Sequence, residues 1–199
     1  MPASHPQRPE LIVELDDIRL RLLASRDAVA FVVAGLSEEQ FNQCPAPGKW
    51  SVCQCLEHLN LVADRMGTEI DLAIERAHRE GRYSRGAHRY GFFESWFAGA
   101  GAQIRPPSFK RFKTFKLYDP RRDQPVANVL AAYQAHQDNL VERVEASNGI
   151  DLARVRITSP ATRLVRLSLG KWLYLIVGHQ ERHLEQARGV RGVILEEHA

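Results

Sequence analysis

The chain has 199 residues, a net charge of +3 and 44% apolar residues. This composition excludes a wholly disordered chain, and the length favours a single domain, residues 1–199, with one core of its own. The overall charge is too small to indicate nucleic-acid binding.

Two amphipathic helices are predicted in the first 80 residues, because apolar residues recur every three or four positions. The first helix covers residues 10–34, and a short helical turn follows at 37–40. The second helix begins after Ser51, a suitable N-cap with Gln54 three positions later, and ends before Gly81.

A long connection, residues 81–122, separates this pair from two further helices. The third helix starts near Pro125 and ends before 148–149, an Asn-Gly pair. The fourth follows Ser168, a plausible cap, and extends at least to Val190. Four long helices with almost no strand-like alternation predict an all-α fold. We expect a four-helix bundle with a long connection between helices two and three.

Histidines interrupt the apolar faces of the second and fourth helices. His179 and His183 are four residues apart, so their side chains leave the fourth helix about 6 Å apart on one side. His58 lies on the inward face of the second helix. Because packed helices are about 8–10 Å apart, the three imidazoles can meet and bind a divalent transition metal such as Zn or Ni. The alternative is that all three are hydrogen-bonded core residues.

The residues around the histidine pair exclude the zincin signature H-E-x-x-H. In the run 179–183 the glutamate stands one place too late. Glu181 and Arg182 are therefore predicted to lie on a solvated face. Glu57 is interpreted either as a surface residue or as a residue that contacts the ligand histidines without binding the metal itself. Gln186, one turn beyond the pair, is predicted to orient a ligand imidazole or to lie on the surface.

The cysteines and the lack of long apolar runs indicate the compartment. The sequence has three cysteines and no C-x-x-C pair, which favours a reducing environment; they are Cys44, Cys53 and Cys55. The last two lie at the start of the second helix, where a reactive thiol or, more commonly, a buried inert cysteine is expected. Without a signal peptide or an 18-residue apolar run, we expect a cytoplasmic protein with no membrane partner.

Several short motifs in a fixed order resemble the DinB-like, or YfiT-like, superfamily over nearly the whole chain. They are Trp50-Ser51 leading into Glu57-His58-Leu59, and residues 169–172 leading into H-x-x-x-H-L-x-Q at 179–186. The resemblance implies a four-helix bundle that binds a divalent metal through one histidine on the second helix and an H-x-x-x-H pair on the fourth. The matching metal ligands are His58, His179 and His183.

The same resemblance implies a metal-dependent enzyme. Its reaction is expected to be that of a hydrolase or of a thiol S-transferase on an unknown small-molecule substrate. In the transferase, a low-molecular-weight thiol is a further cofactor. No residue is assigned a catalytic role. The alternative is a non-catalytic metal-binding stress-response module, and the resemblance also makes a homodimer plausible.

The connection between helices two and three is strongly basic. Residues 76–122 contain twelve Lys or Arg and three acids, a net charge of +9 that leaves −6 on the rest of the chain. The aromatic residues within 92–97 are spaced as in a short helix that packs on the bundle. The segment is interpreted as a solvated loop or as a lid that attracts an anionic substrate. Nucleic-acid binding comes third, after these two interpretations, because no recognised binding motif accompanies the charge. The lid hypothesis predicts that neutralising Lys110, Arg111 and Lys113 weakens binding of an anionic ligand without changing metal content.

Overall fold

A computed structural model of the chain describes residues 10–84, 87–102 and 115–197. The prediction of a mostly helical protein is confirmed. No described helix has the length and apolar character needed to cross a membrane. The elements in chain order are α1 (Val13–Val33), α2 (Glu38–Asn42), α3 (Val52–Arg79), α4 (Phe92–Gly101), a 3-10 turn (Lys116–Tyr118), α5 (Val126–Ala146), β1 (Arg156–Thr158), β2 (Arg166–Ser168) and α6 (Leu169–Glu196).

Three of the predicted helix starts are confirmed by individual hydrogen bonds. The Ser51 hydroxyl accepts from the Gln54 backbone N–H at 3.1 Å, and the Gln54 side chain accepts from the Ser51 N–H at 3.3 Å. Ser37 and Gln40 make the same reciprocal pair at the start of α2. The hydroxyl of Ser168 caps α6. Each cap satisfies backbone donors that the first turn of a helix leaves free.

The core between the four long helices consists of two apolar clusters. Helices α1 and α3 each pack against both α5 and α6. One cluster includes Leu22 and Ile70, and the other includes Leu56 and Leu184. All four side chains are buried, so removal of apolar surface from water is the main stabilising contribution in both clusters.

On each long helix, a buried polar residue separates the members of one cluster from those of the other. These residues are Ser25, Asn60, Gln137 and Gln180. The side-chain amides of Gln137 and Gln180 have no hydrogen-bond partner within the described ranges. A buried amide without a partner costs about 1–3 kcal/mol, so apolar residues at these two positions are expected to stabilise the core.

A short hairpin between α5 and α6 is not predicted by the sequence pattern. Strands β1 and β2 are antiparallel, with Ile157 opposite Leu167. Both residues are buried. Three-residue strands are too short to show the two-residue alternation from which strands are recognised.

The spacing of the aromatic residues within 92–97 correctly predicts a short helix, α4, but not the face that packs. Phe92 is 88% exposed, whereas Glu94 is buried. The Glu94 carboxylate accepts hydrogen bonds from the Ser168 backbone N–H and, at 3.0 Å, from the Arg156 guanidinium. These two hydrogen bonds tie α4 to the hairpin.

Candidate metal centre

Helices α3 and α6 bring His58, His179 and His183 together. One ring nitrogen from each residue lies within 4.8 Å of the others. Nε2 of His58 is 3.3 Å from Nε2 of His179, and the rings of His179 and His183 are 4.5 Å apart between centroids. His58 and His183 are buried and His179 is half-buried. The three imidazoles thus converge on one point at the interface of the two helices.

The backbone of the segment before α5 determines which nitrogen of His58 faces the cluster. Nδ1 of His58 lies 2.8 Å from the carbonyl oxygen of Tyr118. Because a carbonyl oxygen only accepts, Nδ1 carries the proton and Nε2 presents its lone pair to the other histidines. Histidines that bind metals commonly donate their second N–H to a carbonyl in this way.

The spacing of the imidazoles fits a shared cation. Two nitrogens that each lie about 2.1 Å from one tetrahedral metal are about 3.4 Å apart, close to the 3.3 Å between His58 and His179. A hydrogen bond between these two nitrogens also fits that distance. Such a bond joins only two of the three rings, whereas one cation can be shared by a ring nitrogen from each residue, and these nitrogens lie within 4.8 Å of one another. Three neutral imidazoles are also a donor set that suits divalent transition metals.

All three imidazoles are held in the neutral form that binds metals. Burial is the main cause: it lowers the pKa of His58 and holds those of His179 and His183 well below the ordinary value. The positive charge of Arg182 lowers all three pKa values further. A hydrogen bond with the Gln186 side chain acts in the opposite direction and raises the pKa of His183, but its contribution is the smallest. At neutral pH, metal binding therefore does not have to displace protons from the rings.

Comparison with known families agrees with this arrangement. A family model described as the DinB superfamily matches residues 21–187, a range that contains all three histidines. The chain belongs to the DinB superfamily. No curated protein and no solved structure matches the chain.

In this DinB-superfamily protein, an indole ring forms one wall of the histidine cluster. The ring of Trp50 lies 5.0 Å from that of His58 and stacks on that of His183 at 5.8 Å between centroids. Trp50 directly precedes Ser51, the cap of α3. The sequence shows that Trp50 lies next to the cap, but the cap pattern does not indicate that its ring contacts the histidines.

The segment before α5 is tied to α3 by a second contact, which no motif in the sequence indicates. Glu57 has a side chain only 4% exposed and forms an ion pair at 2.6 Å with Arg121. The interpretation of Glu57 as a surface residue is therefore wrong. Together with the bond from His58 to Tyr118, this ion pair holds the segment against the helix that carries His58.

Glu181 and Arg182 do not lie on a solvated face, contrary to the sequence-based expectation. Both carboxylate oxygens of Glu181 accept from Arg21 at 2.8 Å, which ties α6 to α1. Arg182 is half-buried and donates to the Gly101 carbonyl at 3.0 Å, at the end of α4. Across the described ranges, Arg182 has no carboxylate within ion-pair distance, so a positive charge remains beside the cluster.

The two cysteines at the start of α3 belong to the apolar core. Cys53 and Cys55 are buried, and burial raises the pKa of both thiols, which agrees with the expectation of buried, inert cysteines rather than with a reactive thiol. The basic residues assigned to a lid, Lys110, Arg111 and Lys113, lie outside the described residues, and their proposed role stays a prediction.

Proposed function

We propose that this protein is a metal-dependent enzyme in which His58, His179 and His183 hold one divalent transition metal such as Zn or Ni. The observation that carries the proposal is the convergence of three neutral, largely buried imidazoles at the interface of α3 and α6. Three protein ligands leave coordination positions for water or a substrate, which is typical of catalytic rather than structural sites. We also propose that the four long helices form the bundle expected of the superfamily.

A metal held by these three histidines would supply a nucleophile at physiological pH, because it would lower the pKa of a water or thiol towards neutrality. The reaction is then that of a hydrolase or, with a low-molecular-weight thiol as cofactor, of a thiol S-transferase. The chain itself orients the ligands: the Tyr118 carbonyl holds the His58 ring, and Trp50 shields His58 and His183 on one side. Arg182 adds a positive charge that favours an anionic group on the small-molecule substrate or thiol.

The test begins with elemental analysis of protein purified without a nickel column. We expect close to one transition-metal ion per chain in the wild type and a loss of most of it in His58→Ala. His136→Ala is the matched control, because His136 lies half-buried on α5 and is not one of the three clustered histidines. Full metal occupancy in His58→Ala would show that the site assignment is wrong.

Activity is then measured with a panel of hydrolase and thiol-transferase substrates, using metal-loaded and chelator-treated protein. We expect turnover that requires metal and is lost in His58→Ala but kept in His136→Ala. Stoichiometric metal without turnover of any substrate in the panel would favour the non-catalytic metal-binding module instead.

A further inference from the structure

A groove of about 350 Å³ lies where the C-terminal end of α3 meets the β1–β2 hairpin. Five arginines and one glutamate line it, which gives the lining a net charge of +4. Ala77 and Val155 supply its apolar contacts. The arginines are Arg76, Arg82, Arg154, Arg156 and Arg166.

The fold brings these arginines together from two distant parts of the sequence. Arg76 belongs to the last turn of α3, whereas Arg156 and Arg166 lie on β1 and β2. In the hairpin, Arg156 is opposite Ser168 and Thr158 is opposite Arg166. Because side chains alternate between the faces of a strand, both arginines project from the same face.

Two of the guanidinium groups are held in place by backbone oxygens. Nη2 of Arg76 donates to the Arg156 carbonyl at 2.7 Å. Nη2 of Arg156 donates to the Arg166 carbonyl at 3.1 Å. A carbonyl orients a guanidinium without neutralising its charge, so these contacts arrange positive groups in advance of a ligand.

Acidic side chains compensate only part of this charge. Arg82, Arg154 and Arg156 each have a carboxylate within ion-pair distance. For Arg154 that distance is 3.7 Å, which is long for a direct contact. Arg76 and Arg166 have no such partner in the ranges that the structure describes.

Glu80, the glutamate that lines the groove, is affected by the positive charge of the arginines around it. The pKa of Glu80 is lowered first by the hydrogen bond from Arg82 and then by the charges of Arg82, Arg76 and Arg79. Basic residues at the end of α3 are partly explained by the helix dipole, which favours positive charge at a C-terminus. That explanation does not cover the arginines of the hairpin, which belong to no helix end.

We propose that this groove binds a polyanion with two or more adjacent phosphate groups, such as the phosphoanhydride part of a small molecule. Guanidinium groups bind phosphate oxygens through paired hydrogen bonds, and several in one groove match a multiply charged group better than a monoanion. Arg76 is 18 residues from His58 on α3, or about 27 Å along the helix axis. The groove is therefore separate from the metal centre.

The experiment is calorimetric titration of the full-length protein with pyrophosphate at constant ionic strength. The double variant Arg76→Gln/Arg166→Gln is expected to bind about ten-fold more weakly or worse, because two charge-assisted contacts are lost. Arg166→Gln alone changes only an exposed side chain and is expected to weaken binding to a smaller degree. Glu80→Gln removes the opposing charge and is expected to tighten binding.

The matched control is Arg26→Gln/Arg188→Gln, which removes the same charge elsewhere on the surface. Both residues have carboxylate partners of their own, and neither lines the groove. Affinity is expected to stay within about two-fold of the wild type.

Three results would overturn the proposal: no pyrophosphate binding by the wild type, an equal loss of affinity in the control, or no loss in Arg166→Gln and the groove double variant. Tighter binding of a single-stranded oligonucleotide than of pyrophosphate at the same salt concentration, lost in the groove variant, would also overturn it. That result would assign the groove to nucleic acid.

Discussion

His58 on α3 and His179 on α6 face each other with their Nε2 atoms 3.3 Å apart, although 121 positions separate them in the chain. The packing of the two helices creates this distance, and the Tyr118 carbonyl turns the His58 lone pair towards it. A cation between the two nitrogens would link α3 to α6. Metal binding and the stability of the fold are therefore expected to be coupled.

Zinc is expected to raise the midpoint of thermal unfolding of metal-free protein. A ligand that binds only the folded state at 100 times its Kd stabilises by about 2.7 kcal/mol. For a chain of this size that corresponds to a rise of about 5–10 °C, measured by differential scanning calorimetry. His58→Ala is expected to lose most of the rise and His136→Ala to keep it. An equal rise in both variants would place the stabilising metal elsewhere.

Arg121→Ala is expected to lower the free energy of unfolding by about 1–2 kcal/mol, because it leaves the buried Glu57 carboxylate without its partner. Glu57→Gln in the same chain is expected to recover part of the loss, since a neutral amide is less costly to bury. Arg122→Ala, an exposed neighbour, is the control in urea denaturation.

The Arg121 variant has a second readout. Because the ion pair with Glu57 holds the segment that includes Tyr118 against α3, metal affinity is also expected to fall in Arg121→Ala. If Arg121→Ala and Arg122→Ala behave alike in both stability and metal affinity, the ion pair does not have this role.

Gly178→Ala is expected to destabilise the protein by about 1–3 kcal/mol and to loosen α4. A methyl group at Gly178 would lie 2.7 Å from the Cα and 2.8 Å from the carbonyl oxygen of Ala102, at the end of α4. Backbone atoms cannot move aside as a flexible side chain does. Hydrogen exchange is expected to accelerate in α4, and urea denaturation gives the change in stability.

The same helix offers the control for that substitution. A methyl group at Gly192 meets nothing within 4 Å, so Gly192→Ala is expected to be neutral or stabilising by up to about 1 kcal/mol. Protection of α4 that is unchanged in Gly178→Ala would show that α4 does not depend on this close approach.

Gln137→Leu is expected to raise the free energy of unfolding by about 1 kcal/mol, because it removes a fully buried amide with no partner among the described residues. Gln134→Leu, on the exposed side of α5, is the control and is expected to stay within about 0.5 kcal/mol of the wild type. Destabilisation by Gln137→Leu would show instead that the amide is satisfied, as by a bound water.

Local sequence patterns are sufficient for the helices and for the identity of the clustered histidines. Ser51 and Gln54 accept hydrogen bonds from each other's backbone N–H groups within one helical turn, so four consecutive residues determine where α3 begins. His179 and His183 share a face because of the helical repeat alone. His58 interrupts the inward face of the second helix in the same way, and the family motifs pair it with these two residues.

Tertiary structure alone decides the surroundings of the site. Tyr118 contacts His58 through a backbone carbonyl, which every residue possesses and which therefore leaves no mark in the sequence. The burial of Glu57 follows from where the segment carrying Arg121 crosses α3. The arginine groove likewise exists only because the hairpin packs beside the end of α3. Capping and periodicity act over a few residues, whereas these contacts join residues that are 60 or more positions apart.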